Sequence, residues 1–335
     1  MKALVLKSYG KKARLDFETI PRPAIKENEI LVKIQAVGLN PIDCMIPEGT
    51  FRPVLHFTLP AVMGSDLAGT VVQAGSKVTR FRAGDAVYAS VFDMNKGSLA
   101  EYTAVPESAA ALKPETLSFT EAASLPMVAL TAWQAFERAG VHAGHKIFIP
   151  AGSGGIGTFA IQLARHLGAS VATTTSSGNA DLVISLGAQH VIDYKSQYFE
   201  TILKDYDMVL GTVRGDGIEK AVEILKPGGQ IVSLVGPLDI AFARRKRLNP
   251  VIKAIFWMMS RKIKKLAARR DVRYAFLFVH PDGTRLADIA ALLDEGKLKP
   301  VIDRVFPFDE TLMALSYLKG GHVKGKVVIE LPVNP

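Results

Sequence analysis

Seven residues near the middle of the chain, Ala151-Gly152-Ser153-Gly154-Gly155-Ile156-Gly157, place glycines at 152, 154 and 157 in the spacing G-x-G-x-x-G. The spacing alone is a weak signal, and its flanks strengthen it. The apolar run Lys146-Ile147-Phe148-Ile149-Pro150 precedes it and a helical pattern from Phe159 to Leu167 follows. A strand that turns sharply into a helix aims backbone N–H groups and the helix N-terminus at one point, and glycines let a pyrophosphate approach without meeting a Cβ. The loop predicts a bound dinucleotide.

The residues beyond the loop predict which one. An NAD-selective site places Asp or Glu about 20 residues on, to hold the ribose 2′-hydroxyl. Here the segment reads Thr173-Thr174-Thr175-Ser176-Ser177-Gly178-Asn179, with no acid between Arg165 and Asp181. Hydroxyls and an amide donate to a 2′-phosphate that a carboxylate repels, so Thr174, Thr175, Ser176, Ser177 and Asn179 point to NADP(H). Tyr194 and Lys195, after the next strand, either add a phenolic donor and a charge or simply end that strand at the surface.

These residues need a scaffold. A length of 335 residues exceeds what one core fills, and the pattern changes character along it. Short alternating segments such as Ile30 to Ile34 and Gly69 to Val72 read as a barrel-like β module up to about residue 120. Thr120 is a candidate cap for a helix through Ala122, Leu125, Ala129 and Trp133, with Pro126 interrupting it. From His145 strands alternate with helices, through Ser170 to Thr173, Met208 to Leu210 and Gln230 to Val235. That is the rhythm of a doubly wound parallel sheet. A helix near Leu286 to Leu293 and a last strand at Val327 to Ile329 follow. The overall class is α/β. Met1 to Lys7 is too short an apolar run for a signal peptide and reads as a first strand, which predicts a cytoplasmic protein. One cysteine, Cys44, permits no internal disulfide and reads as a small buried residue or a redox-sensitive thiol. The seven histidines show no metal-binding spacing.

Several blocks then stand in a recognisable order: Ala36-Val37-Gly38-Leu39-Asn40-Pro41-Ile42-Asp43, Gly64-Ser65-Asp66-Leu67-Ala68-Gly69, Leu130-Thr131-Ala132-Trp133, the glycine loop, Leu186-Gly187-Ala188, Val191-Ile192-Asp193-Tyr194 and Gly325-Lys326-Val327-Val328. Together they resemble the medium-chain dehydrogenase/reductase superfamily, in its zinc-free quinone oxidoreductase and enone (alkenal) reductase branch. The resemblance implies a GroES-like β-barrel catalytic domain from 1–122 and 282–335, enclosing a Rossmann NADP-binding domain at 123–281. It implies cofactor contacts at Thr131, at Gly152 to Gly157, at Val235 and Gly236, and at Lys326. Zinc-dependent relatives carry a Cys at the Asn40 position and a His-Glu pair at Ser65-Asp66, so three zinc ligands cannot be assembled here. What remains is hydride delivery to a quinone or to the β-carbon of an α,β-unsaturated carbonyl. In that scheme Asn40 donates a hydrogen bond near the nicotinamide, and Asp43 and Asp66 either support it or serve as buried structural carboxylates. Relatives often carry Tyr or Lys, then Arg, where this chain has Met45 and Pro47. That substitution predicts an apolar, adaptable pocket and a proton taken from water. It also leaves room for a rival reading, a cofactor-binding member without useful turnover. The resemblance further implies a homodimer through the strand Arg273 to Phe278.

The net charge of +9 is uneven: residues 241–270 hold eleven Lys and Arg and no acid, and the remainder is nearly neutral. Ile252, Ile255, Phe256, Met259, Ile263 and Leu266 form the stripe of an amphipathic helix. Read as an insertion, it is a cover over the active site, an interfacial helix on an anionic membrane, or, with few aromatics and no nucleic-acid fold, least of all a nucleic-acid binder.

Overall fold

The computed structural model describes residues 1–55, 57–213 and 215–332. The chain forms two compact units, residues 1–130 with 280–335 and residues 131–279. The first division falls inside the helix Pro126–Ala139, later than the expected 122/123; the second falls at 279/280 against an expected 281/282.

The discontinuous unit is built around the strand Glu29–Leu39, eleven residues that are almost all buried. Asp66–Ala74, Tyr102–Pro106 and Lys326–Glu330 pair with it antiparallel. Ile302–Pro307 and Ala110–Leu112 close the two ends of this seven-stranded sheet. A smaller sheet joins Arg14–Thr19, Lys2–Ser8 and Ala61–Val62. The helix Phe119–Ala123 lies directly on the central strand because position 38 is glycine: a Cβ there would stand 2.1 Å from the Ala123 carbonyl oxygen. Its cap is Ser118 rather than the expected Thr120. Ser118 Oγ accepts from Glu121 N at 3.2 Å, and Ser118 N donates to the Glu121 carboxylate at 2.8 Å. The expected interruption is present: the first helix ends at Ala123 and Pro126 opens a second, Pro126–Ala139.

The contiguous unit is a six-stranded parallel sheet. In spatial order its strands are His190–Asp193, Ser170–Thr175, Lys146–Ile149, Tyr206–Gly211, Leu225–Ser233 and Arg273–Phe276. By order of appearance that is 3-2-1-4-5-6, the doubly wound arrangement. The chain reverses its direction of winding between Lys146–Ile149 and Tyr206–Gly211, and such a switch point leaves a crevice at the carboxyl ends of the strands. The basic segment lies between the fifth and sixth strands. Its helices Ile240–Arg245 and Pro250–Ala268 form that crossover, and Ile263 and Ala267 join the sheet's own core with Ile218, Val222 and Ile231.

Candidate active site

The glycine loop occupies the crevice at the switch point. Ala151 adopts a left-handed φ of +55°, and Gly154 caps the helix Gly155–His166. Two of the glycines are sterically required. A Cβ on Gly157 would meet Ala151 O at 2.5 Å and Gly152 O at 2.7 Å, and one on Gly152 would meet Thr173 Oγ1 at 2.0 Å. Between these buried ends Ser153, Gly154, Gly155 and Ile156 are half-exposed. This is a cradle with its floor packed and its rim open, the form a diphosphate needs.

The threonines hold the loop in place. Thr174 Oγ1 accepts from Ala151 N at 3.0 Å, Thr173 Oγ1 donates to Ile149 O at 2.6 Å, and Thr175 Oγ1 donates to Ser153 Oγ at 2.9 Å. All three are buried. Thr174 and Thr175 therefore brace the loop instead of facing solvent, and Asn179 Nδ2 reaches the same Ser153 hydroxyl at 3.3 Å. Ser176, Ser177 and Asn179 stay at the surface, beside Tyr194 and Lys195. Tyr194 N donates to Thr175 O, which fixes the two segments side by side. Asp193, in register with Thr175, turns its carboxylate onto Lys195 N at 2.9 Å. Val235 and the left-handed Gly236 follow the fifth strand at the same sheet edge, while Thr131 is buried in the helix Pro126–Ala139. Thr212 was missed by the sequence reading. It follows the fourth strand and donates to Pro150 O at 2.7 Å, bracing the loop from the other side.

The second cluster lies in the discontinuous unit, where sheet register brings three strands together. Val327 pairs with Leu39, so Lys326 arrives opposite Asn40, and Asp66 begins the strand on the other flank. Lys326 Nζ donates to Asn40 Oδ1 at 2.6 Å and to Leu39 O at 2.7 Å, and stands 3.8 Å from Asp66 Oδ2. Asn40 Nδ2 donates to Asp66 Oδ2 at 2.9 Å, and Met127 N donates to the same oxygen at 3.1 Å. Asp43 accepts from Asn40 N at 2.8 Å and from Ser65 Oγ at 2.9 Å. None of the five side chains is more than 5% exposed. Within the chain the Asn40 amide donates to Asp66 and accepts from Lys326, Lys326 stands as a buried counter-ion to Asp66, and Asp43 and Asp66 are buried carboxylates of the same network.

Burial sets the electrostatics. It pushes the Asp43 carboxyl up to about 7, against the opposing hydrogen bonds from Asn40 and Ser65. It raises Asp66 as well, with Lys326, Asn40, Met127 and Ser90 pulling the other way, and it lowers Lys326, with Asp66 and then Asp43 opposing. Asp66 Oδ1 has no well-formed hydrogen bond among the described residues. Met45, at the end of the helix Pro41–Met45, keeps part of its surface. Cys44 and Pro47 line an open cavity of about 670 Å³ with Lys11, Leu15, Leu312 and Lys319. The Cys44 thiol is pushed up to about 12 by burial, which keeps it protonated at neutral pH.

The family model described as Alcohol dehydrogenase GroES-like domain matches residues 26–115, and that described as Zinc-binding dehydrogenase matches residues 186–329. Zinc does not fit this chain's residues at the corresponding place. They are an amide, a hydroxyl and a carboxylate already facing an ammonium, and among the described residues no three His, Cys, Asp or Glu stand together as ligands. The chain is 39% identical to the 2-methylene-furan-3-one reductase of Solanum lycopersicum over 98% of its own length and 79% of that protein. It is 37% identical, with the same coverage, to the chloroplastic NADPH-dependent alkenal/one oxidoreductase of Arabidopsis thaliana. The solved structure of the quinone oxidoreductase from Coxiella burnetii superposes with a TM-score of 0.84 at 32% identity, covering 99% of both chains. A glycine cradle at the switch point of a parallel sheet, a GroES-like unit and relatives matched over nearly the whole of this chain lead to one conclusion: the chain belongs to the medium-chain dehydrogenase/reductase superfamily, in its quinone oxidoreductase and alkenal/enone reductase branch, and is an oxidoreductase that works with NAD(P)H.

Proposed function

We propose that this protein is an NADPH-dependent, zinc-independent reductase of activated double bonds, acting on the β-carbon of enones and alkenals or on quinones. The observation that carries the reading is the cradle of Gly152 and Gly157 opening beside Ser176, Ser177, Asn179, Tyr194 and Lys195, a rim of donors and a cation whose carboxylate neighbour, Asp193, is engaged in its own turn. The half-exposed loop amides and the N-terminus of the helix Gly155–His166 hold the pyrophosphate, and the donors on the rim hold the 2′-phosphate. Bound NADPH supplies a hydride to an electron-poor carbon, and the α-carbon takes its proton from water.

Asn40, Asp43, Asp66 and Lys326 act by position: their hydrogen bonds to one another hold the turn after Leu39 rigid. Met45, half-buried in that turn, offers an apolar, adaptable surface to substrate. The cytoplasm is the proposed location. A dimer forms by pairing of Arg273–Phe276, an edge strand of the parallel sheet, with its symmetry mate.

Titration with NADPH and NADH, followed by NADPH oxidation over a panel of enones, alkenals and quinones, tests the reading. The expected result is tighter NADPH binding and turnover of at least one of these classes. Preference for NADH overturns the cofactor assignment, and tight NADPH binding with no turnover of any acceptor favours the cofactor-binding, non-catalytic rival.

A further inference from the structure

The helix Pro250–Ala268 buries a narrow stripe, Phe256, Ser260, Ile263 and Ala267, against the sheet. Everything a half-turn away faces outward, and the outward face changes chemistry along its length. Over its first turns it carries Val251, Ala254, Ile255 and Met258, at i, i+3, i+4 and i+7, with Trp257 and Met259 at its margins. Val251 is 69% exposed, Met258 65% and Trp257 50%. Beyond them the same face continues as Arg261, Lys262, Lys265 and Arg269, each seven residues after an apolar counterpart or nearly so. Arg244 and Arg247, both exposed, precede the helix and place cations at its other end.

Large apolar side chains are exposed here, Trp257 with the Arg261 guanidinium over its ring, inside a segment that contains no acid. Acids of the same unit pair with Lys262 (Glu219), Lys264 (Asp239) and Arg270 (Glu223). Those pairs tie the helix down and leave Arg244, Arg247, Arg261, Lys265 and Arg269 around the apolar patch. A second copy docking on this face about a two-fold axis would set like charges against like. A nucleic acid would meet the cations but leave the Val, Ile and Met side chains in water. A surface that is anionic at its boundary and apolar just beneath satisfies both chemistries at once.

We propose that the outward face of Pro250–Ala268 is a docking site for an anionic lipid bilayer: Val251, Ile255, Trp257 and Met258 enter the headgroup boundary, and the flanking Arg and Lys hold lipid phosphates. The helix lies on the membrane. Among the described residues no helix is long and apolar enough to cross one. The proposal does not depend on which acceptor is reduced, although it places the enzyme where apolar enones and quinones partition.

Flotation of the full-length protein with phosphatidylcholine vesicles containing phosphatidylglycerol, compared with phosphatidylcholine alone, tests it. Expected are binding to the anionic vesicles only, a fall of about tenfold or more in partitioning as salt rises from about 0.05 to 0.5 M, and a blue-shifted Trp257 emission read as the difference from W257F. The double variants I255D/M258D and R261E/K265E each lose vesicle binding while NADPH-linked activity stays at the wild-type level. No binding to anionic vesicles overturns the proposal. So does binding that I255D/M258D leaves intact, since the cations alone then account for it. Conversion of a dimer to a monomer by I255D/M258D without vesicle binding also overturns it and assigns the face to a second copy.

Discussion

A carboxyl group sealed from water resists ionisation, and Asp43 sits in the folded protein with its carboxyl held near 7 where an unfolded chain titrates near 3.8. Between those values the folded state keeps a proton that the unfolded state has lost, so this group's contribution to stability is complete at low pH and disappears as pH rises toward 7. Replacing Asp43 with Asn removes the titration while keeping an acceptor for Asn40 N and a donor toward Ser65. The expected outcome is that D43N gains on the wild type by roughly 1–3 kcal/mol between pH 5 and pH 8 in urea unfolding. A gap between the two proteins that does not move with pH shows that Asp43 is ionised throughout. At the loop, Ser177 is exposed on the proposed 2′-phosphate rim. Ser177→Asp is expected to weaken NADPH at least tenfold and leave NADH binding nearly unchanged, as read by fluorescence titration; equal loss of both means that the side chain does not face the ribose.

At the scale of single elements, the strand, loop and helix from Lys146 to His166 work as one part, and the close approach at Gly157 is what lets the helix begin where it does. Gly157→Val is expected to reduce NADPH affinity more than tenfold and to cost about 1–3 kcal/mol in thermal unfolding, from the displaced loop. This element was readable in the sequence because its signal is local: an apolar run, three spaced glycines and a helical period. The roles of Thr173, Thr174 and Thr175 were not, since a sequence names a hydroxyl without saying which atom it reaches, and successive strand residues point to opposite faces. The basic helix was legible in part for a related reason. Of the stripe Ile252, Ile255, Phe256, Met259, Ile263 and Leu266, Phe256 and Ile263 are buried and Leu266 packs on the core, whereas Ile255 and Met259 are exposed and Ser260 and Ala267 complete the buried face. Small residues let a helix approach a sheet closely, and hydrophobicity counts cannot see that. The network of Asn40, Asp66 and Lys326 was half legible. The resemblance drew attention to each residue, while their mutual hydrogen bonds depend on strand register between segments almost 290 positions apart.

For the molecule as a whole, the edge strand Arg273–Phe276 offers a row of backbone groups to a partner, and the proposed dimer is checked by light scattering. The expected mass is twice the 36.2 kDa of the chain, and a single-chain mass at micromolar concentration rules that pairing out. The two units also differ in how they meet the ribosome. Residues 131–279 are contiguous and hold a complete parallel sheet, so they have all their partners as soon as they emerge. The other unit encloses Asp66 early and must wait for Lys326, which arrives 286 residues after Asn40, before that buried carboxylate has its cation. Completion of the catalytic unit is thereby tied to completion of synthesis. A chain stopped short of its last strand lacks the cation for Asp66, so enclosing that carboxylate requires it to take up a proton or the unit to stay open.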